Sequence, residues 1–383
     1  MKIGLLGHGV VGSGVTAITD SCAVKRVRRL EVSRILVKDE AELTDPRCTL
    51  NVEEILQDPE IEIVAECMGG LEPAHTFVSR ALEAGKHVVT SNKKMFAHFC
   101  PELCALAAEN GVTIRYEAAV GGGIPWMANL TRVKRLEPVQ SFRGIFNGTT
   151  NYILTRMEET GMDFAECLNE AQSLGYAEKN PTDDIEGYDA KYKAALTAMK
   201  TFGAEPDLDA VITYGISTVS SKDLAWAKEN GRSLKLIAEG KDDGDSISLW
   251  VMPVFLSKND IFANVRENFN AAESDSKTLG KAVYIGQGAG SLPTAHAVVQ
   301  DLLDIYVNQD AVPEAMKKRT VYNGNISARF YIRTGKPELF DAVTEQKLAE
   351  DTLLTKEMPL SEADRMIKES GDAALFAAMV AGE

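Results

Sequence analysis

Short apolar runs alternate with amphipathic stretches through the first third of the chain. Residues 2–6, 33–37, 61–67, 86–90 and 113–117 are each brief, apolar and bounded by polar or glycine-containing segments, the pattern of buried strands. Between them, residues 74–84 and 101–110 carry apolar side chains at helical spacing. Gly85 and Gly111 stand where a helix ends and a strand begins, a position that favours glycine. Strand–helix alternation of this kind predicts an α/β unit, a doubly wound parallel sheet with helices on both faces.

From about residue 137 the texture changes. A strand is expected at 141–146, then a helix running through Met157, with further helices at 164–173 and 189–202. Residues 234–239, 246–254 and 282–285 read as strands of a second sheet, which makes this region α+β with mixed pairing. A long apolar helix follows at 292–307, and the last stretch is more charged. The expected organisation is a dinucleotide-binding domain over 1–136, completed by the helix near 292–307. A catalytic and dimerisation domain over 137–291 and a short C-terminal segment over 320–383 follow.

The first strand leads directly into Gly7-His8-Gly9-Val10-Val11-Gly12, which opens a helix. Gly7 permits the tight turn, Gly9 lets the backbone approach a pyrophosphate, and Gly12 allows close helix–strand packing. The exposed N–H groups of the helix, beginning at Val10 and Val11, would then hold the anion. This is the arrangement of a Rossmann-like dinucleotide site. The second strand ends in Lys38, with Asp39 after it. A cation there suits a 2′-phosphate, so NADP is favoured, with NAD as the alternative if Asp39 faces the ribose.

Charge and cysteine usage narrow the partners. A net charge of −15 argues against nucleic acid or an anionic membrane surface. No apolar run is long enough to span a bilayer, and the apolar N-terminus lacks the cleavage site of a signal peptide, so a cytoplasmic location is expected. The six cysteines include no C-x-x-C pair and read as reduced thiols. No Cys/His cluster indicates a transition metal.

The densest polar cluster lies at 174–196, where Glu178, Asp183, Asp184, Glu186 and Asp189 surround Tyr176, Lys191 and Lys193. Asp189 and Lys193 stand at i, i+4 on a helix whose neighbouring positions are apolar, so both project to one side. Carboxylates able to hold an ammonium, beside a lysine able to exchange a proton, suit an amino-alcohol substrate.

This stretch resembles the signature of homoserine dehydrogenases. Gly175-Tyr176-Ala177-Glu178, Pro181-Thr182, Asp184 and Gly187-Tyr188-Asp189 leading to Lys193 carry the likeness. Further similar segments occur in order: GLLGHGVVGSGV, VAECMGG, VVTSNKK, EAAVGGGIP, GIFNGTTNYIL, LKLIAEG and GQGAGSLPTAHAVVQDLLD. The resemblance spans roughly residues 1–310 and implies a monofunctional enzyme, without an attached kinase, that interconverts L-homoserine and L-aspartate 4-semialdehyde. It implies Lys193 as proton donor and acceptor, with Lys93 holding substrate beside the nicotinamide. Glu178, Asp184 and Asp189 would bind substrate, with Tyr176 and Thr149 near them, and Gly175 and Gly288 would lie close to the cofactor. A monovalent cation, sodium, would be held by Glu117, Val120, Gly122 and Ile124, mainly through backbone carbonyls. A homodimer is implied as well. Two other readings are a dehydrogenase for a related amino-acid semialdehyde and a cofactor-binding regulator without turnover.

His8, Trp126 and Gln287 depart from the family pattern, none at an expected catalytic position. Residues 328–333 resemble the opening strand of a regulatory ACT domain, but the segment is short and lacks a glycine-centred effector loop. A truncated or replaced domain is therefore expected, without threonine feedback.

Overall fold

The computed structural model describes residues 1–307 and 316–382; Glu383, the last residue of the expected C-terminal segment, lies outside them. The chain divides into two units, residues 1–135 with 286–317, and residues 136–285 with 318–383.

In the first unit the strands are β1 (Lys2–Leu6), β2 (Glu31–Leu36), β3 (Cys48–Thr49), β4 (Ile61–Glu66), β5 (His87–Thr90) and β6 (Ile114–Arg115). They form one parallel sheet in the order β3-β2-β1-β4-β5-β6. The order reverses direction beside β1, and in open α/β sheets ligands bind at the carboxyl ends of the strands at such a point. Ile3, Leu5, Ile35, Ile63 and Val89 are fully buried, as expected for a sheet covered on both faces. The helix Ser291–Tyr306 returns to this unit and packs on the helix Val10–Ser21. Gly14 permits that approach, since a Cβ there would sit 2.8 Å from the Ala295 methyl.

One helix differs from the sequence reading. Pro101 is not at a helix start but inside the helix Lys93–Glu109. The start is set by Asn92, whose side chain accepts the Met95 N–H at 3.1 Å. Ordinary propensity places Pro at the first turn, and here the cap and the buried Met95, Phe96 and Ala97 override it.

The second unit is built on a mixed sheet. Its longer strands are β7 (Val139–Ile145), β8 (Arg232–Asp242), β9 (Ser246–Ser257), β10 (Phe269–Ser276), β11 (Gly280–Gln287), β12 (Ser327–Arg333), β13 (Thr344–Lys347), β14 (Thr352–Thr355) and β15 (Phe376–Val380). They lie in the order β11-β10-β7-β8-β9-β15-β12-β14-β13. The helices Gly148–Thr160 and Tyr188–Phe202 pack against β7 to β10.

The C-terminal residues do not stand apart. β15 pairs in parallel with β9, Val254 opposite Met379 and Phe255 opposite Val380. Phe330, Ile332, Ala377 and Met379 share one core with Trp250, Met252 and Val254. Within this segment β12 lies between β15 and β14, and the helix Leu360–Ser370 connects β14 to β15. That order is the one of a split β-α-β unit, with the first crossover reduced to the turn Pro337–Phe340. Among the described residues, no helix is long and apolar enough to cross a membrane.

Candidate active site

In the first unit the glycine loop divides its steric duties. Gly7 has φ +93°, and a Cβ there would lie 2.9 Å from the Cys67 carbonyl oxygen. A Cβ on Gly12 would lie 2.1 Å from the Gly7 carbonyl oxygen. Both glycines are therefore demanded by the chain itself. Gly9 is not: a Cβ there would meet nothing within 4 Å. Open space lies over the first turn of the helix, where Val10 is 70% exposed and Val11 half-buried, and no side chain caps the N-terminus. The helix N–H groups that a cap would have taken are left for an anion. The loop thus fits a dinucleotide pyrophosphate.

At the end of β2, Lys38 is exposed while the Asp39 carboxylate accepts the Ala41 N–H at 3.0 Å. Lys93 occupies the first helical position after the Asn92 cap and is half-buried. A residue overlooked in the sequence organises this region. Glu66, fully buried at the end of β4, accepts from Thr90 Oγ1 at 2.5 Å, Asn92 Nδ2 at 3.5 Å and the Met68 N–H at 2.8 Å. Asn92 also donates to the Gly70 carbonyl at 2.8 Å. One carboxyl group, with its pKa raised by burial, thereby ties together the 67–70 loop and the turn that presents Lys93.

The segment expected to hold a cation is also in this unit. Glu117 is buried, and its carboxyl oxygens accept the N–H groups of Met127 at 3.0 Å and Ala128 at 2.6 Å. Burial and then the nearby Asp301 charge push its pKa up to about 8. Gly122 has φ +55°, and a Cβ there would lie 2.4 Å from the Gly288 carbonyl oxygen. Gly123 N–H donates to the Gln287 carbonyl at 2.9 Å, so the Gly122 and Gly288 turns are held together. The Ile124 carbonyl accepts from Trp126 at 2.8 Å, and Val120 is fully buried.

The second unit assembles the acid–base cluster. Gly187, at φ +81°, turns the chain into the helix Tyr188–Phe202. One turn in, Asp189 and Lys193 are 2% and 7% exposed, and their Oδ2 and Nζ atoms are 2.7 Å apart. Lys193 Nζ also donates to the Phe146 carbonyl at 2.7 Å. Two charges this buried persist only when paired and hydrogen-bonded.

The connector is Asn147, which the sequence reading missed. Its Nδ2 donates to Asp184 Oδ1 at 2.6 Å and to Asp189 Oδ2 at 2.8 Å. Its Oδ1 caps the helix Gly148–Thr160 through the Thr150 N–H at 2.8 Å. The visible signal was an Asn just ahead of a helix, and a cap explains that alone. Asn151 serves packing instead, donating to the carbonyls of Val265, Glu267 and Phe269. Thr149 Oγ1 donates to the Tyr176 carbonyl at 2.6 Å and so fastens the loop that follows the helix Phe164–Ser173. Tyr176 is 41% exposed, and Gly175, at φ +76°, and Glu178 are exposed beside it. Asp184 and Asp189 are thus linked through Asn147, and Lys193 joins them through its pair with Asp189, whereas Glu178 is exposed on the loop.

Comparison with known proteins follows this division. Residues 7–117 match the family model described as homoserine dehydrogenase, NAD binding domain, and residues 125–303 match the model described as homoserine dehydrogenase. The homoserine dehydrogenase of Bacillus subtilis is 38% identical over 317 residues, 80% of this chain and 73% of its own length. A crystal structure of a homoserine dehydrogenase from Thiobacillus denitrificans is similar with a TM-score of 0.87 and 31% identity, covering 100% of this chain and 98% of its own. A hyperthermophilic archaeal homoserine dehydrogenase in complex with NADPH has a TM-score of 0.69 and 26% identity, covering 82% and 100%.

Proposed function

Because the chain belongs to the homoserine dehydrogenase family and is an oxidoreductase of L-homoserine and L-aspartate 4-semialdehyde, we propose that Lys193 exchanges the proton at the substrate oxygen. The observation that carries this assignment is the buried ion pair of Lys193 with Asp189, continued through Asn147 to Asp184. The nicotinamide supplies the hydride for semialdehyde reduction and accepts it in the reverse direction. As hydride arrives, the aldehyde oxygen becomes negative, and the Lys193 ammonium stabilises that charge and delivers a proton. Asp189 and the Phe146 carbonyl fix the direction of the ammonium, so no orientation has to be found during the reaction. Asp184 and Glu178 bind the substrate ammonium, with Thr149 and Tyr176 shaping the loop. Lys93 helps hold the substrate beside the nicotinamide.

Gly7, Gly9, Val10, Val11 and Gly12 take the pyrophosphate, and Gly175 and Gly288 approach the cofactor with their backbones. NADP is preferred over NAD. Lys38 is free of burial and suits a 2′-phosphate, while Asp39 is committed to its turn. Glu117, Val120, Gly122 and Ile124 hold a monovalent cation, sodium. A cation there would offset the two buried carboxylates Glu117 and Asp301, and backbone carbonyls are the oxygens a hard ion prefers. The working form is a homodimer, which sedimentation would test.

The experiment is absorbance at 340 nm with aspartate semialdehyde and NADPH, repeated with NADH and with L-homoserine in reverse. Faster oxidation of NADPH than NADH supports the Lys38 assignment, and equal or inverted rates refute it. Sodium, compared with choline at equal ionic strength, should raise the melting temperature and the rate.

A further inference from the structure

Residues 212–218 lie between parts of the second unit with different duties. On one side they support the loop that carries Asp184. The Ile216 N–H donates to the Ile185 carbonyl at 2.7 Å, and a Cβ on Gly215 would fall 2.0 Å from that same oxygen and 2.4 Å from Glu186 Cα. Backbone lies against backbone here, with no side chain between to absorb a shift. The Gly187 turn rests on the same segment, since a Cβ there would be 3.4 Å from the Tyr214 carbonyl oxygen.

On the other side the segment is held by the C-terminal part of the unit. Tyr214 donates its hydroxyl to Asp364 Oδ1 at 2.7 Å, and Asp364 Oδ2 pairs with Lys368 at 2.8 Å on the same helix, Leu360–Ser370. Thr218 Oγ1 donates to the Leu375 carbonyl at 3.0 Å, and the Thr218 carbonyl accepts from Arg333 at 2.6 Å. Arg333 is itself anchored by the fully buried Asp223. The remaining support is the catalytic sheet, where the Tyr214 N–H donates to the Val251 carbonyl at 2.8 Å.

We propose that Tyr214 is a positioning residue for the homoserine dehydrogenase reaction: its bond to Asp364 lets the C-terminal helix set the position of the loop that presents Asp184. This rests on the reading of Asp184 as a substrate-binding carboxylate. The segment after residue 317 is then a support of the substrate site, whatever else it binds. Asp184 lies three residues before Gly187 and one before Ile185, so a displaced floor moves it directly, while Lys193 keeps a further anchor outside this floor, the Phe146 carbonyl. Loss of the tether should therefore weaken substrate binding more than it slows the proton step.

The test compares Tyr214→Phe, Asp364→Ala, Asp364→Asn and Asp184→Asn in the full-length enzyme, reading KM for L-homoserine, KM for the cofactor, kcat and melting temperature. Tyr214→Phe and Asp364→Ala should each raise KM for homoserine about 3- to 10-fold, a fraction of what one hydrogen bond to a charged group is worth, because only part of the loss is passed on to the loop, with kcat and cofactor KM within 2-fold. The double variant should be no worse than either alone. Asp364→Asn keeps an accepting oxygen for Tyr214 and should recover most of the loss. The proposal is overturned if Tyr214→Phe leaves homoserine KM within 2-fold while Asp184→Asn raises it. It is also overturned if kcat and both KM values change in parallel with a falling melting temperature, the mark of a merely structural bond. If Asp184→Asn itself leaves homoserine KM unchanged, the reading of Asp184 fails, and the proposal falls with it.

Discussion

Lys193 and Asn147 divide the work at the scale of single residues. Lys193 has its ammonium fixed by Asp189 and by the Phe146 carbonyl. Replacing it by Ala should lower turnover ~100-fold or more while leaving cofactor affinity nearly intact. Fluorescence titration with NADPH and steady-state rates measure the two separately. Asn147 performs two tasks with one amide, capping a helix with its oxygen and bridging two carboxylates with its nitrogen. These can be pulled apart. Asn147→Ser retains a capping oxygen but cannot span Asp184 and Asp189. It should raise homoserine KM about 10-fold and lower the melting temperature by what the two unpaired carboxylate oxygens cost, with the cap retained. Asn147→Ala should show the same rise in KM and in addition lose about 1 kcal/mol of stability with the cap. A KM unchanged in Asn147→Ser would remove the amide from the site.

The β1–helix turn gives the sharpest contrast between elements. Two of its glycines answer to the fold, and we assign the third to a ligand. Gly12→Ala forces a methyl onto the Gly7 carbonyl and should depress the melting temperature along with cofactor binding. Gly9→Ala meets no protein atom within 4 Å. That variant should fold with an unchanged melting temperature yet bind NADPH at least ~10-fold more weakly, since a methyl would occupy space meant for the pyrophosphate. Calorimetry and a binding titration on the same preparation decide it. Equal affinities would mean that the open space over Gly9 is not where the phosphates lie.

The whole second unit carries a pH-dependent stress in Lys235. This lysine is fully buried on β8 and donates to Asn151 Oδ1 at 2.9 Å and the Val265 carbonyl at 2.6 Å. Burial, with a smaller contribution from the Arg266 charge, lowers its pKa to about 7. Between that value and the ordinary lysine range, the unfolded chain binds a proton that the folded chain does not. Stability therefore rises with pH across that window, and below about pH 7 the full cost of the buried charge is present. Lys235→Met should remove that dependence. The stability difference between parent and variant should shift in favour of the parent by up to about 1.4 kcal/mol per pH unit from pH 7 upward. Urea midpoints at pH 7, 8 and 9 would measure it, and parallel curves would refute the assignment. The same unit should unfold in a single transition, because β15 joins the C-terminal strands to β9 within one core.

The alternation of apolar runs was enough to place five strands of the first sheet, and the 2.0 and 3.6 periodicities are local properties of the chain. Gly7, Gly9 and Gly12 were legible for the same reason, since a strand, a glycine turn and a helix start are contiguous in sequence. So was the Asp189–Lys193 pair, one helical turn apart. Neither periodicity nor spacing could reach contacts between residues far apart in the chain. Glu66 joins loops that lie on different strands, Asn147 reaches residues 37 and 42 positions away, and Tyr214 finds Asp364 across 150. The C-terminal strands looked separate because charge and length are all a sequence displays of an edge. Whether β15 closes on β9 or stays free is decided by which backbone groups are left to pair, and only the assembled sheet settles that.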